Sequence, residues 1–545
     1  MTNTLGGDHS FKFGVGWRRN PIQTFSHYSG GARATMQCVG NNSSNCGGGV
    51  ITSAGAAAGY VPRQAVLYRD QLLYNDWYTW NGYIQDSFSR GKFRVNGGIR
   101  YDWQTSKYVG GCVAPNVLRP DILPSQCEDA TDIDAATGKK IQAFGNWGPR
   151  LSVTYDLFGN GKTSVHASYS YYFATKITLA NSLGGLFSQP ALRWGVNASS
   201  GACVTTAGAS CWNDANKDSI IQVNELIGSP TATGTGAARF NTVTGVFGPA
   251  GNIVDPSAKI GRTREFVAGV QHELIANLAV GVDYIYRKYD RGTATYLIGT
   301  QPGEGRQSLA ALYGAAQTWV DATTGLSAPY YTIPSTTVIP TGGNITVTNP
   351  AYQVYNGVDF TMNKRFSNKW QGQIAVTIQD NPQYSPDFTF TNPTGVVFQN
   401  GFSTLQRYLI KANGAYQLPF DIMVSANLNI NDGATRTLSI SGPGQISSGI
   451  NSVGTAQTVT YNTLRFENDG TTRFKPTSLL DMGAQKTFAF RGGKNRLKLM
   501  LDAFNVFNIN TITTYSSNNR SATAFTQPTA IVPPRVFRIG GSISF

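Results

Sequence analysis

The residues with the clearest metal-binding chemistry lie in one segment, DANKDSIIQVNE, residues 214–225. Oxygen-bearing groups recur along it with the spacing at which an EF-hand loop wraps its ligands around one calcium ion. Calcium takes about six to eight oxygen ligands and prefers carboxylates and carbonyls. The predicted ligands are Asp214, Asn216, Asp218, the backbone carbonyl of Ile220, Gln222 and Glu225.

The same segment departs from the EF-hand pattern at Ser219, where the pattern has glycine for a sharp turn. No pair of helical EF-hands is evident, so we expect a lone loop that extracellular calcium orders in a structural role. The alternative is a solvated acidic turn followed by a short helix, without an ion. The segment falls within residues 176–261, which we predict to be one large extracellular loop.

The six cysteines form three close pairs along the chain. The pairs are Cys38 with Cys46, Cys112 with Cys127, and Cys203 with Cys211. Each pair lies in one connection rich in Gly, Ser and Asn, and none has the CxxC spacing of a zinc site. We therefore predict short-range disulfides formed in an oxidising compartment. The alternative is six unrelated free thiols.

The common catalytic motifs are absent from the sequence. It contains no nucleophile elbow, no phosphate-binding Walker loop and no HExxH zinc motif. Its four histidines, His9, His27, His166 and His272, are dispersed along the chain. We predict that the protein is not an enzyme and that calcium is its one expected cofactor.

The composition favours strands over helices. Among 545 residues there are 61 Gly, 28 Phe and 26 Tyr, and only 14% of the residues are charged. No stretch approaches the roughly 18 consecutive apolar residues of a membrane-spanning helix, so a membrane role requires β-strands. The net charge of +14 comes from scattered Lys and Arg. We therefore predict no nucleic-acid partner, whereas in a pore such residues would attract anionic solutes.

Segments that alternate between apolar and polar side chains recur along the whole chain. In RVFRIGGSISF, residues 535–545, the side chains of Phe537, Ile539, Ile543 and Phe545 share one face. We expect this apolar face to contact lipid and the mixed face to line a wet or protein-filled lumen. The predicted lumen-facing residues are Arg94, Arg100, Asp102, His166, Asp283, Arg287, Lys498, Asp502 and Arg538.

The connections between these segments alternate in length. Short turns, such as those at 89–92 and 158–161, alternate with long ones, such as 176–261 and 292–350. Loops beyond about 15 residues are uncommon in compact domains, but outer-membrane barrels have short turns at one rim and long loops at the other. The sequence predicts an all-β fold, a transmembrane antiparallel β-barrel of about 14 strands that spans residues 1–545.

Five internal stretches and the terminal strand have a distinctive order and spacing. The internal ones are WNGYIQDSFSRGKFRVNGGIRYD (80–102), NWGPRLSVTYDLFGNGKTSVHASYSYY (146–172), EFVAGVQHELIANLAVGVDYIYRK (265–288), YNGVDFTMNKRF (355–366) and LDAFNVFN (501–508). Together they resemble the barrel of TonB-dependent transporters of the Oar-like type, and the similarity covers nearly the whole chain.

This resemblance implies an outer-membrane receptor that binds an external solute and passes it inward. In that family an N-terminal plug fills a barrel of about 22 strands, and a TonB box couples opening to the inner-membrane proton gradient. The present sequence begins without a signal peptide, a TonB box or a plug. We interpret it as the C-terminal part of such a barrel, with Met1 as an internal start.

The resemblance also implies the partners and the location. We expect the cell outer membrane of a Gram-negative bacterium, contacts with its lipid and lipopolysaccharide, and an extracellular solute. A TonB complex is a partner only if the plug is present. The terminal Phe545 resembles the signal that the barrel-assembly machinery recognises; alternatively, its ring packs on lipid.

Two other functions fit the sequence. One is a self-contained passive pore of about 14 strands, in which the strand at 11–20 pairs with the strand at 535–545. The other is a surface adhesin or structural barrel whose loops make contacts and which transports nothing.

Overall fold

The alternating segments of the sequence form long antiparallel strands in the computed structural model of the chain. The barrel sheet contains nearly all of them, and the remaining elements lie in the loops. The residues that the structure describes are 6–41, 59–131, 143–175, 191–195, 200–203, 210–233, 240–241, 246–247, 253–255, 257–298, 306–340, 344–385, 392–450, 456–490 and 495–545.

Fourteen long strands make up the main sheet. They are β1 (Asp8–Ser26), β2 (Gln71–Arg90), β3 (Phe93–Tyr108), β4 (Ala143–Asp156), β5 (Thr163–Phe173), β6 (Arg262–Ile275), β7 (Leu278–Asp290), β8 (Tyr352–Ser367), β9 (Trp370–Asp380), β10 (Tyr408–Leu418), β11 (Ile422–Asn431), β12 (Thr477–Phe490), β13 (Asn495–Phe504) and β14 (Val536–Ser544).

Each strand pairs with the next one in the chain, in one unbroken antiparallel order from β1 to β14. A short fifteenth strand, Gln383–Tyr384, pairs with β8. Sequential antiparallel neighbours follow from hairpin connections. The predicted all-β fold with about 14 barrel strands is confirmed.

Tight turns connect the strands at one rim. Between β8 and β9, Ser367 pairs with Trp370 across Asn368 and Lys369, whose φ angles are 52° and 68°. Two central residues with positive φ give a turn whose twist matches that of the flanking strands. The long connections all leave from the opposite rim, as the alternation of loop lengths predicts.

The register of the strands builds a continuous apolar face. Leu151 on β4 lies opposite Tyr169 on β5, and Tyr169 lies opposite Phe266 on β6. The same face continues to the far edge, where Leu501 lies opposite Ile539. Among the described residues no protein layer covers it, since Leu151 is 55% exposed. An apolar surface of this extent is suited to lipid contact and not to water.

The first strand is longer than the alternating pattern indicates. The pattern places it at residues 11–20, whereas β1 continues to Ser26 and includes Pro21. Proline has no N–H to donate to a ladder, so it is tolerated on an edge strand. Because β1 has a neighbour on one side only, Pro21 does not end it.

The strands β1 and β14 are the two edges of the sheet. Within the described residues, no ladder joins them, so the sheet is not closed. Their outer side chains are accordingly the more exposed ones, with Val15 at 94% and Ile539 at 85%. The passive pore requires the pairing of residues 11–20 with 535–545, and the structure does not have that pairing among the residues described.

The long loops contain strands of their own. Their strands are Ala32–Cys38, Tyr60–Tyr68, Gly111–Val113, Gln126–Glu128, Ala191–Trp194, Cys211–Trp212, Leu226–Ile227, Thr231–Thr233, Phe240–Asn241, Val246–Phe247, Ile253–Val254, Thr293–Ile298, Arg306–Ser308, Gln317–Val320, Ser327–Tyr330, Asn344–Thr348, Ser439–Ile450, Ala456–Arg465, Ile512–Tyr515 and Pro528–Ile531. Short 3-10 turns lie at Ser29–Gly31, Val39–Asn41, Val223–Glu225, Ala310–Leu312 and Val396–Phe398. In the described part of the chain, no helix has the length and apolarity to cross a membrane.

The two faces of the sheet predict opposite responses to a new charge. Leu151→Arg places a guanidinium on the lipid face and is expected to destabilise the protein by about 2–4 kcal/mol. Ser152→Arg changes the next residue, on the polar face, and is expected to have little effect. Urea unfolding of each variant, refolded into phospholipid vesicles and followed by tryptophan fluorescence, measures the difference. Equal destabilisation by the two substitutions would contradict the assignment of the faces.

Candidate functional site

The nine charged residues predicted to line the lumen lie on the face of the sheet opposite the apolar one. For example, Arg100 lies opposite Gly148 of β4, and Asp502 lies opposite Arg538 of β14. The nine are Arg94, Arg100 and Asp102 on β3, His166 on β5, Asp283 and Arg287 on β7, Lys498 and Asp502 on β13, and Arg538 on β14. We call this surface the inner face.

Ion pairs neutralise much of the charge on the inner face. The ion pairs are Arg100 with Asp102 at 2.8 Å, Arg538 with Asp502 at 2.8 Å, and Arg287 with Glu265. In a further pair, His166 Nε2 lies 2.7 Å from Asp283 Oδ1. Arg94 and Lys498 have no ion-pair partner among the residues that the structure describes. The predicted residues are therefore spread around the sheet in separate pairs and do not form a single cluster.

One of these pairs extends across a whole strand. His166 on β5 and Asp283 on β7 are both in register with Gly269 of the intervening β6. A Cβ atom at position 269 would lie 2.0 Å from Oδ1 of Asp283. Glycine at 269 therefore permits the contact, and a larger residue would displace the carboxylate. The pattern of the sequence does not indicate this role for Gly269.

On the inner face of β1–β5, three further cations were not among the predicted residues. Lys12 and Arg18 lie on β1, and Arg150 lies on β4. All three are exposed, and none has an ion-pair partner within the described part of the chain. Arg150 stacks over the ring of Tyr172, with Cζ 5.1 Å from the ring centroid. The alternation that identifies Arg94 and Arg100 also holds for these three residues, so the sequence pattern could have placed them on the inner face.

These cations line two adjoining cavities on the inner face of β1–β5. The cavities have volumes of about 650 Å³ and 450 Å³. Arg100, Gly148 and Arg150 line both, Lys12 lines the larger one and Arg18 the smaller one. We call the two together the basic groove. Neutral hydrogen-bonding side chains complete the larger cavity, namely Gln85, Asn96, Ser152, Ser168 and Ser170.

The Cys-bearing loops of the first half of the chain share a hydrophobic core, which we call the first loop cluster. Its side chains come from residues far apart in the sequence and include two fully buried indoles, Trp194 and Trp212. The buried members are Ala65, Leu67, Leu123, Leu192, Trp194, Trp212 and Ile221. Packed cores of this kind give a loop a fixed shape.

The disulfides hold the first loop cluster together. Cys112 is bonded to Cys127, joining two short paired strands, and Cys203 is bonded to Cys211, next to Trp212. These two predicted pairings are confirmed. Cys38 is also disulfide-bonded, and Cys46 lies outside the described residues, so that pairing stays a prediction.

The six predicted calcium ligands lie on one turn at the edge of the first loop cluster. Ser219 has a φ of 62°, which is the left-handed conformation for which the EF-hand pattern has glycine at this position. Glu225 is only 3% exposed. Its carboxylate accepts hydrogen bonds from the Trp212 indole N–H at 3.1 Å and from the Ala215 N–H at 3.2 Å.

Asp214 is the least satisfied acid of this turn. Its Oδ2 accepts the Ser219 N–H at 3.1 Å, while its Oδ1 is buried and has no hydrogen-bond partner among the described atoms. Burial raises the pKa of Asp214, and the charges of Glu225 and Asp218 raise it further. In the described part of the chain, no three His, Cys, Asp or Glu residues are grouped to hold a metal ion. The calcium site therefore stays a prediction.

The loops of the second half of the chain form a second core, which we call the second loop cluster. Its buried members are Ala328, Ile440, Tyr461 and Leu464. The Trp319 indole N–H donates to the carbonyl of Ser441 at 2.8 Å, and the Ser521 hydroxyl donates to Asp321 at 2.9 Å. These contacts join three loops that are distant in sequence, and no local pattern predicts them.

Comparison with known proteins gives a consistent picture. A family model described as an outer membrane beta barrel domain matches residues 2–429. The TonB-dependent transporter Oar of Myxococcus xanthus is 25% identical over 322 residues, which are 56% of this chain and 26% of that protein. The chain thus spans about a quarter of the length of this relative.

Solved structures of outer-membrane transporters are also similar to the chain. The transporter YddB from Escherichia coli has a TM-score of 0.45 at 11% identity, covering 98% of this chain and 60% of that one. The siderophore receptor PirA from Acinetobacter baumannii has a TM-score of 0.40 at 11% identity, covering 89% of this chain and 52% of that one.

Calcium binding by the turn at 214–225 is testable on the purified chain. We expect calcium to bind with a Kd of about 10⁻⁴ to 10⁻³ M, as in extracellular sites, and magnesium to bind more weakly. Asp214→Asn should weaken binding at least about tenfold, because it removes a charged ligand. Since the pKa of Asp214 is raised, protons compete as the pH falls towards it, so affinity should be lower at pH 5 than at pH 7.5.

Isothermal titration after treatment with a chelator measures this affinity. Ser219→Gly is the matched control, because glycine suits the left-handed backbone at 219 and removes no predicted carboxylate or carbonyl ligand. It should retain binding. A wild-type protein that releases no heat with 10 mM calcium, a concentration at least about ten times the expected Kd, would exclude the site.

Proposed function

Because this chain belongs to the outer-membrane β-barrel domain family, whose model matches residues 2–429, we propose that it is the barrel of a TonB-dependent receptor. It lies in the outer membrane of a Gram-negative bacterium. In this role it binds a solute outside the cell and provides part of its route inward. The resemblance to the Myxococcus xanthus TonB-dependent transporter supports the proposal.

The observation that carries the proposal is the division of the sheet into two faces. The outer face is apolar from β1 to β14 and suits lipid, whereas the inner face is polar and contains open cavities. A solute that follows the inner face meets hydrogen-bonding groups along its path while lipid remains excluded. This arrangement serves passage across a membrane, and we assign no catalytic step to it.

The two loop clusters support the capture of a solute from outside. Both lie on the long connections, at the rim that faces away from the tight turns. Their cores fix the positions of exposed loop residues, so they present a defined surface and not a set of free chains. The proposed partners are outer-membrane lipid and lipopolysaccharide, the barrel-assembly machinery, and a TonB complex when a plug is present.

Energy-coupled uptake is the test of this function. A strain lacking the gene should fail to deplete a specific solute from the medium, and the reintroduced gene should restore depletion. A protonophore should abolish the restored uptake, because TonB-dependent opening uses the inner-membrane proton gradient. Mass spectrometry of the medium identifies the solute.

The other outcomes of the same experiment assign the other functions. Uptake that continues in the presence of the protonophore would identify a passive pore and overturn energy coupling. A strain whose surface attachment changes while its uptake does not would identify an adhesin. A strain complemented with Leu151→Arg, which disturbs the lipid face, provides the control for loss of assembly.

A further inference from the structure

The basic groove has an excess of positive charge that the protein itself does not balance. Lys12, Arg18, Arg100 and Arg150 line it, and Asp102 is the one carboxylate in the described lining. On the neighbouring strand β6, Glu265 lies opposite Ser170, and its carboxylate is paired with Arg287. The groove is therefore cationic along its length.

The negative charge of Asp102 does not neutralise the other three cations of the groove. The guanidinium of Arg100 donates three hydrogen bonds to the carboxylate of Asp102. Its Nε–H donates to the two carboxylate oxygens, at 3.0 Å and 2.9 Å, and its Nη2–H donates to Oδ1 at 2.8 Å. This fork-like contact occupies the carboxylate with one arginine. Lys12, Arg18 and Arg150 are left without an ion-pair partner within the described residues.

The three cations are spaced along the direction of transit. Lys12 and Arg18 lie six residues apart on β1, which corresponds to about 20 Å along a strand. Arg150 lines both cavities and so lies between them. A solute that moves along the groove would stay within reach of a positive charge at each stage.

The neutral lining of the larger cavity adds hydrogen-bond donors. Ser168 and Ser170 supply hydroxyls, and Gln85 and Asn96 supply amides. Gly98 lies opposite Arg150 and Gly148 lies opposite Arg100, so neither position adds a side chain beside these arginines. Hydrogen bonds from charged donors are about twice as strong as those between neutral groups, and an anionic oxygen would find both kinds of donor here.

The excess of positive charge on the inner face is local to the basic groove. A third inner cavity, of about 310 Å³ between β9 and β14, is lined by Asp481, Asp502 and Arg538. Arg538 is paired there with Asp502 at 2.8 Å. That cavity contains both signs of charge, so the overall basic composition of the chain does not by itself explain the groove.

We propose that the basic groove binds a small solute that carries two or more negative charges, as carboxylate or phosphate groups. The proposal rests on the proposed transport function and names its class of substrate. Arg150 binds one anionic group at the junction of the cavities, and Lys12 or Arg18 binds a second one. Long-range attraction by the same charges raises the local concentration of such a solute.

Binding by the purified full chain in detergent micelles tests the substrate class. The probes are inorganic triphosphate and the tricarboxylate tricarballylate, with the neutral sugar maltotriose as a control. We expect both anions to bind, maltotriose not to bind, and affinity to fall as salt is added. Binding of triphosphate alone would restrict the class of solute to phosphates, and binding of tricarballylate alone would restrict it to carboxylates.

Substitutions that each remove one positive charge locate the anion-binding site. Arg150→Gln and Lys12→Gln should each weaken binding about tenfold, the loss expected for one charged hydrogen bond. Lys411→Gln is the matched control, because Lys411 is an exposed cation of the inner face on β10, outside the groove. It should leave the affinity unchanged. Arg18→Gln provides a second variant in the groove if one of the others fails to fold.

Two results would overturn the inference. One is a folded wild-type protein that binds neither anion, and the other is an equal loss of affinity in Lys411→Gln and Arg150→Gln. The binding assay is independent of uptake by cells. Uptake of a neutral solute without anion binding would overturn this inference and leave the transport function standing, whereas anion binding without uptake would do the reverse.

Discussion

In hydrocarbon every backbone N–H and C=O group must find its partner within the protein, and the rest of this structure depends on that constraint. Strands β2–β13 meet it because each has a hydrogen-bonded neighbour on both sides. Since those bonds lie in the plane of the sheet, the side chains are left to alternate between its two faces. Leu151 and Tyr169 on one face and Arg150 and Ser170 on the other are consequences of the same geometry.

The inner face distributes its charge unevenly around the sheet. From β6 to β14 carboxylates lie close to cations, as in the pairs of Glu265 with Arg287 and of Asp502 with Arg538. From β1 to β5 the cations that line the cavities outnumber the carboxylates. A field of one sign that is confined to a groove acts on charged solutes more strongly than scattered charges would. The unpaired positive charge of the inner face is thus concentrated on β1–β5.

The barrel strands could be predicted from the sequence because their signal is local. A period of two and the alternation of short and long connections indicate the strand number, the two faces and residues such as Arg100 and Asp502. Two of the disulfides follow from the closeness of their cysteines in sequence.

Other features depend on the surroundings of a residue and could not be predicted. The extension of β1 past Pro21 depends on its edge position, and the space above Gly269 depends on its neighbouring strands. The loop cores join residues more than a hundred positions apart, as Trp319 joins Ser441, and no periodicity encodes such contacts.

The two loop clusters each draw their buried side chains from one half of the chain, from residues 65–221 in the first and 328–464 in the second. Mutations that reshape one of them need not be compensated in the other, provided that its own core is preserved. The loop surface can therefore diversify in two independent parts while the membrane-embedded sheet stays constant, which gives natural selection separate access to the exposed loops and to folding.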